Sequence, residues 1–528
     1  MPLIVSQIKA SLKSSKEYVI ASAIKLCGIS GSDVVSADIH KTSLDARKQN
    51  NIRFVHSVII TLTDKILEEK ICKNNACCSL VESSRLSPVI SNDKRKGDVV
   101  IVGFGPAGMF AGLVLAEYGY SPVIIEKGEL IDERVASVEK FWRDGILNKN
   151  SNVQFGEGGA GTFSDGKLTT RIKDPLCRYV LEKFVEMGAP EEILTKAKPH
   201  IGTDKLRLIV KNIRERIISL GGKIYFNTSF EDFTMCDNKT INIKAGQHSI
   251  NAQCVILAIG HSSRDTFKMI FDKGMFLESK PFSVGARIEH LQDDVNTSLY
   301  GKYADNPFLP IGEYQLSYRD KIKDRAVYTF CMCPGGTVVP SSSEENSVVT
   351  NGMSEFARNK KNANSAIVVS VSEKDFGKHP LAGVEFARKI EQKSFKLAGS
   401  DYSAPSITVG NFLGNEKSSN SIASSYSLGV KSCNFENIFS KNISDMLKTG
   451  LRVFSHQMRC FGDMNAILTA PETRTSSPVR ITRNDALESI SHHNVFPCGE
   501  GAGYAGGIMS ASVDGIKVAL KIIEKYAP

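Results

Sequence analysis

Between Asp98 and Lys127 the chain reads DVVIVGFGPAGMFAGLVLAEYGYSPVIIEK, an apolar strand that runs through Gly103, Gly105 and Gly108 directly into a helix. Each glycine has a mechanical reason to be there. Gly103 permits the tight turn, Gly105 lets the backbone approach a diphosphate, and Gly108 allows the helix to pack closely on the strand. The free N–H groups at the helix start then face anionic oxygens. Pro106 and Ala107 fill the turn. A second apolar strand ends in Glu126, 18 residues after Gly108, where a carboxylate accepts hydrogen bonds from both adenosine ribose hydroxyls and repels a 2′-phosphate. Lys127 and Arg134 follow that acid and are candidate cations for the diphosphate. A turn of this kind commits the surrounding chain to a parallel sheet with helices on its faces.

A chain of 528 residues is long enough for several such cores. Residues 1–95 read as a small α+β domain, with the alternating run IRFVHSVIITL as a half-buried strand. The polar stretch SNDKRKGD closes that domain as a linker. Residues 98–270 alternate strand and helix and form the first part of a Rossmann-like domain. Residues 271–450 mix short β-like runs such as RAVYTF and SAIVVSV with polar loops, the pattern of an inserted α+β cap domain. Residues 451–528 return to strand, glycine turn and helix, so the expected fold is α/β with a discontinuous nucleotide domain.

Composition narrows the function classes. Hydrophobic residues make up 41% and charged residues 23%, the balance of a folded soluble protein, and no run reaches the roughly 18 apolar residues of a membrane span. Twelve Cys without regular spacing, in a chain that needs no disulfide framework, fit a reducing compartment, so cytoplasm is the expectation. Cys72, Cys77 and Cys78 lack a histidine cluster to complete four ligands, and no metal is expected. The net charge of +9 is modest over this length, so nucleic acid is not the first partner to expect.

Two further glycine signals follow the first. NAQCVILAIGHSSRD is an apolar strand ending at Ala258-Ile259-Gly260, where glycine again lets the chain pass close to a ligand. In NVFPCGEGAGYAGGIMSASVDGIKVA, Glu500 is placed to bind a ribityl hydroxyl, and a helix starting near Gly506, Gly507 and Ile508 presents N–H groups to an isoalloxazine carbonyl. In this order the three signals resemble the two-dinucleotide-binding flavoprotein superfamily. More narrowly, FGEGGAGTFSDGKL from Phe155, KPFSVGARIEHLQ from Lys280, FCMCPGGTVVPSSSE from Phe330, ETRTSSPVRI from Glu472 and GEGAGYAGGIMSASVDGIK from Gly499 resemble the uncharacterised FAD-dependent dehydrogenase family over nearly the whole chain. That resemblance implies noncovalent FAD and an oxidoreductase. It implies cofactor contacts at Gly103, Gly105, Ala107, Gly108, Glu126, Gly260, Gly499, Glu500, Gly507 and Ile508. It supplies no substrate. Glu500 stands where many superfamily members have Asp.

Catalytic residues are less legible, because flavin chemistry asks the protein only for orientation and a proton. In GARIEH, Arg287 and Glu289 share one face of a strand and His290 takes the other. Arg287 is a candidate to hold a substrate carboxylate and His290 a candidate proton donor, against the alternative of an ion pair beside a surface histidine. Cys331 and Cys333 form a CxC pair, unlike the disulfide-reductase pattern; buried small cysteines and thiol chemistry both stay open. Arg474 and Arg480 lie in a segment that reads either as an anion-binding loop or as a salt-bridged turn. No second nucleotide fingerprint is present, which leaves NAD(P)H open as a transient electron donor beside a small-molecule substrate or electron acceptor. Two rival readings are an FAD-dependent RNA-modifying enzyme, suggested by Lys41, Arg47, Lys48 and Arg53, and a nonenzymatic flavin-binding scaffold. Substituting Gly105→Glu places bulk and charge against the diphosphate, so the variant should purify colourless; normal FAD occupancy would show the fingerprint to be misassigned.

Overall fold

The computed structural model describes residues 2–81, 86–236, 240–415 and 422–528. The N-terminal unit is the expected α+β domain. Its antiparallel sheet has the order Val34–Asp45, Arg53–Leu62, Leu3–Ala10, Cys78–Leu80. Along Arg53–Leu62 the residues His56, Val58, Ile60 and Leu62 turn inward at period two. Helix Lys16–Cys27 covers that face with Val19 and Ala23; Ser15 caps its start, and Gly28 ends it in the left-handed conformation. The linker is tied down along the C-terminal helix, where Ser91 N–H donates to Ile523 O at 3.1 Å and Ala527 N–H donates to Asp93 O at 2.7 Å.

The second unit is the Rossmann-like sheet. Five strands run parallel in the order Lys223–Tyr225, Val123–Ile125, Asp98–Val102, His248–Leu257, Val495–Pro497. An antiparallel arm, Phe230–Cys236 and Thr240–Ala245, pairs with the first half of His248–Leu257. Helices Pro106–Glu117, Thr203–Ser219 and Ile508–Lys525 cover one face, and helix Arg264–Asp272 contributes Phe267 and Ile270 to the other. With both faces covered, Val99 to Val102 are all buried, which is why this strand reads as a continuous apolar run.

The inserted unit is a seven-stranded sheet, ordered Ser317–Asp320, Arg325–Cys333, Asn362–Val371, Phe282–Leu291, Ile467–Glu472, Ala404–Thr408, Val430–Ser432. Phe282, Val284, Ala286 and Ile288 share a core with Ile443, Met446, Leu447, Leu451 and Phe454 of helix Lys441–Gln457. The chain returns to the nucleotide domain later than residue 451, the boundary expected from sequence. Strand Ile467–Glu472 belongs to the inserted sheet, between Phe282–Leu291 and Ala404–Thr408. Every residue of it is buried, so its apolar run carries no sign of which sheet it joins. The crossing itself is the short ladder Leu277–Ser279 with Val479–Ile481.

Buried ions lock the two large units together. Glu391, on helix Ala382–Leu397, receives Arg264 through two bonds at 2.9 and 2.7 Å and Arg474 through two at 3.0 and 3.1 Å. Thr473 Oγ1 donates a further bond at 2.6 Å. Burial works against the Glu391 carboxylate, but the two guanidinium groups outweigh it and hold its pKa below the ordinary value. Removing one partner of such a cluster leaves uncompensated buried charge. Glu391→Ala should therefore lose about 3–5 kcal/mol of stability, read as a lower denaturant midpoint; an unchanged midpoint would show the cluster to be energetically idle.

Candidate functional site

Three glycine-bearing segments meet at the start of helix Pro106–Glu117. Gly103 has φ of 99°, and a Cβ there would strike the Ala258 carbonyl oxygen. A Cβ on Gly108 would strike the Gly103 carbonyl oxygen, and one on Gly515 the Ala107 carbonyl oxygen, so the turn is pinned between the strand and the C-terminal helix. Gly105 is different. A Cβ there would have only Gly159 Cα within reach, at 3.7 Å, so the backbone tolerates a side chain and the space beside it is open. Pro106 occupies the first helical position, where the missing N–H costs nothing. Gly161 completes the convergence, since a Cβ on it would lie 3.0 Å from Ile508 Cγ1.

Gly260 has φ of 72° with nothing within 4 Å of a Cβ position, and Gly506 and Gly507 are equally open. Gly499 lies against Ala107, with 2.7 Å between its Cβ position and the alanine methyl. Neither Gly105 nor Gly507 supplies a side-chain cap to the helix it starts, so both helix N-termini keep N–H groups free for acceptor oxygens. Glu126 is buried and ties the site together: Oε2 accepts from Phe104 N–H at 2.8 Å, and Oε1 from Gly128 and Gly156 N–H at 2.9 Å each. A carboxylate has about four lone-pair sites, so capacity for a ribose hydroxyl remains.

Several sequence-based assignments change. Arg134 does not reach a diphosphate. It is fully buried, and its guanidinium donates to the carbonyls of Asn152 at 3.0 Å, Glu157 at 2.6 Å and Val153 at 3.0 Å, bracing the glycine-rich loop beneath the site. Lys127 is likewise engaged, with Asp265 at 2.6 Å and the Phe155 ring 4.7 Å below its ammonium. Arg287 and Glu289 do share one face and His290 the other. Arg287 is buried against Glu472 at 3.2 Å, Asn364 at 3.1 Å and the Cys331 carbonyl at 2.9 and 3.0 Å, which leaves no fork for a substrate carboxylate. His290 is buried beside Phe461, 4.7 Å between rings, and burial lowers its pKa to about 3; it stays neutral and is no proton donor to the site. In the N-terminal unit Asp45 takes Arg47 at 2.8 Å and Arg53 at 3.8 Å.

Around Glu500 and Arg480, which the sequence offered as a ribityl contact and as part of an anion-binding loop, gather groups that sequence reasoning did not single out. Burial pushes the Glu472 carboxyl up to about 7 despite Arg287, and pushes Glu500 up to about 7 despite Lys280. Lys280 has its own pKa lowered by burial and by Arg480 beside it. Asp165, on the glycine loop, pairs with Arg358 of the inserted unit, and Lys167 reaches Glu313 at 2.7 Å. Only the fold brings these pairs together, because the two partners of each lie more than a hundred residues apart in sequence.

The chain matches two family descriptions: an FAD binding domain over residues 96–134, and an FAD-dependent protein, C-terminal domain-like, over residues 281–475. A Clostridium beijerinckii (strain ATCC 51743 / NCIMB 8052) protein, described as uncharacterized, is 45% identical over 531 residues, spanning 100% of this chain and 99% of that relative. The chain belongs to this FAD-dependent protein family. FAD is its cofactor, and it is an FAD-dependent enzyme. Among solved structures it is similar to glycine oxidase from Geobacillus kaustophilus at 12% identity, covering 82% of this chain and 96% of that one with a TM-score of 0.37. It is also similar to the flavin-dependent halogenase CmlS at 14% identity, covering 81% and 58% with a TM-score of 0.37. The residues fit the cofactor: Gly105, Gly260, Gly506 and Gly507 leave open space where a side chain would stand, and helices Pro106–Glu117 and Ile508–Lys525 begin without a side-chain cap.

The charge cluster under the glycine loop sets a pH dependence. Burial disfavours the Glu313 carboxylate, yet Lys167 and Lys198 hold its pKa down to about 2 from an ordinary 4.5. A depressed carboxyl contributes stability that is complete above its unfolded pKa and is lost as pH falls through the folded one. Unfolding midpoints should therefore fall between pH 4.5 and pH 2, and Glu313→Gln should flatten part of that fall; an identical acid profile in the variant would contradict the assignment.

Proposed function

We propose that this protein is an FAD-dependent oxidoreductase of the dehydrogenase type, passing electrons through noncovalently bound FAD. The observation that carries this reading is a pair of carboxyls, buried Glu472 and half-buried Glu500, both pushed up to about 7 by desolvation. Groups that gain and lose a proton near neutrality are what a redox site needs from its protein, because moving an electron pair to or from a substrate also moves protons. FAD, when bound, supplies the two-electron acceptor at flavin N5. The protein supplies the rest. The helix starts at Gly105 and Gly507 would hold the anionic and carbonyl ends of the cofactor, and Glu126 and Glu500 would orient its sugar hydroxyls. Lys280, with Arg480 beside it, places positive charge next to Glu500, suited to an anionic small-molecule substrate or acceptor.

NAD(P)H serves in this reading as a transient electron donor, since the sequence holds one dinucleotide fingerprint, at Gly103–Gly108, and no second one follows it. The free state of all twelve cysteines fits a cytoplasmic setting. Among the described residues no helix is long and apolar enough to cross a membrane. Anaerobic stopped-flow mixing with NADH and NADPH in turn, followed at the visible flavin band, tests the function. Bleaching by one nicotinamide and recovery on adding an artificial electron acceptor is the expected result. A flavin that stays oxidised with both nicotinamides and with reduced dye mediators would overturn the oxidoreductase reading in favour of a flavin-binding scaffold.

A further inference from the structure

The N-terminal unit carries cysteines that the candidate cofactor site does not use. Cys27 is the last residue of helix Lys16–Cys27, which stops there because Gly28 turns left-handed with φ of 63°. Cys78 opens the edge strand Cys78–Leu80, where it stands opposite Val5 of Leu3–Ala10. The two sulphurs lie 3.4 Å apart, although 51 positions separate the residues. Both cysteines are half-buried against the small core that holds Val5, Val19, Ala23 and Val58. Among the described residues no three His, Cys, Asp or Glu side chains are grouped to hold a metal ion, so the two sulphurs are to be explained as a pair.

One asparagine holds the two cysteines in register. The Asn75 side-chain amide donates to the Leu26 carbonyl at 3.3 Å, one residue before Cys27, and its side-chain oxygen accepts from Cys77 N–H at 3.0 Å. Its own carbonyl accepts from Cys78 N–H at 2.9 Å, and the Cys77 carbonyl accepts from Ser6 N–H at 2.8 Å. The turn that carries Cys78 is thereby fixed both to the helix end that carries Cys27 and to the sheet. A disulfide needs its sulphurs at about 2.0 Å. Closing the pair from 3.4 Å asks for a small shift shared by two side chains. Each stands at the end of its element, where backbone gives more readily than in the middle.

We propose that Cys27 and Cys78 are a thiol pair that closes to a disulfide by exchange with a small-molecule disulfide, stapling helix Lys16–Cys27 to the edge strand of the N-terminal sheet. The staple is independent of the oxidoreductase reading and of FAD. Cys78, as thiolate, attacks one sulphur of the external disulfide; a mixed disulfide forms on Cys78, and the departing thiolate takes up a proton. Cys27 then gives up its proton and attacks the Cys78 sulphur, expelling the second external thiol. The two protein thiols lose two electrons, and one external disulfide is reduced to two thiols that carry both protons away. Burial raises both protein thiols, Cys27 to about 12, whereas the hydrogen bond from Cys27 works to lower Cys78, which therefore ionises first. Closure is slow at neutral pH and quickens as pH rises. Once closed, the cross-link constrains the unfolded chain and resists opening of the sheet edge.

The full-length FAD-bound protein is brought to constant composition, without oxygen and at mildly alkaline pH, in mixtures of reduced and oxidised glutathione, then quenched in acid, alkylated, digested and mapped by mass spectrometry. Under oxidising mixtures the Cys27 and Cys78 peptides should appear joined, two hydrogens lighter than their sum, and excess dithiothreitol should part them. Cys27→Ser should stop at a glutathione adduct on the Cys78 peptide, and Cys77→Ser should keep the link. Hydrogen exchange over Cys78–Leu80 should slow in the oxidised protein. Alkylatable Cys27 and Cys78 in every mixture would overturn the pair, and loss of the link in Cys77→Ser would show the wrong partner to have been chosen. A link that leaves exchange over Cys78–Leu80 unchanged would overturn the staple.

Discussion

The structure depends on how closely three backbones approach at the fingerprint turn. The Gly103 carbonyl fills the place of a Gly108 side chain, and the Ala107 carbonyl fills that of Gly515, so strand Asp98–Val102, helix Pro106–Glu117 and helix Ile508–Lys525 touch main chain to main chain. Any side chain there forces a backbone to move. The contact brings the last helix of the protein beside the first glycine turn, although about four hundred residues of chain separate them. The inserted sheet is thereby held over the nucleotide domain at both of its connections.

The candidate cofactor segments carry two acids, Glu126 and Glu500. Glu126 fixes one end through three N–H bonds from three different segments. At the other end burial pushes the Glu472 and Glu500 carboxyls up to about 7 despite the positive charges of Arg287 and Lys280. The difference is physical. Glu126 is engaged by three N–H donors, whereas Glu472 and Glu500 have pKa values pushed up to about 7, which equips them to exchange protons near neutrality.

The cofactor site was legible in the sequence because its determinants are local: glycines at fixed spacing, an acid at the end of the next strand, a helix after a glycine turn. The side chains were less legible. Arg134 has the right spacing for a diphosphate cation, but its partners are carbonyls some twenty residues on, in a loop whose path no periodicity announces. His290 alternates with Glu289 as a strand demands, yet which face meets Phe461 is decided by a segment far along the chain. Strand Ile467–Glu472 reads as apolar in either domain. The left-handed backbone at Cys331 has no sequence signature at all, because it arises where a strand breaks register against its neighbour.

The account stands or falls on a single FAD held without a covalent bond along these segments. The most direct measurement is to unfold the purified protein in acid, separate chain from supernatant and identify the released flavin. The account predicts one FAD per chain in the supernatant and a colourless polypeptide. Flavin that remains attached to the chain, or a protein that carries none and takes up none when FAD is added, would contradict it.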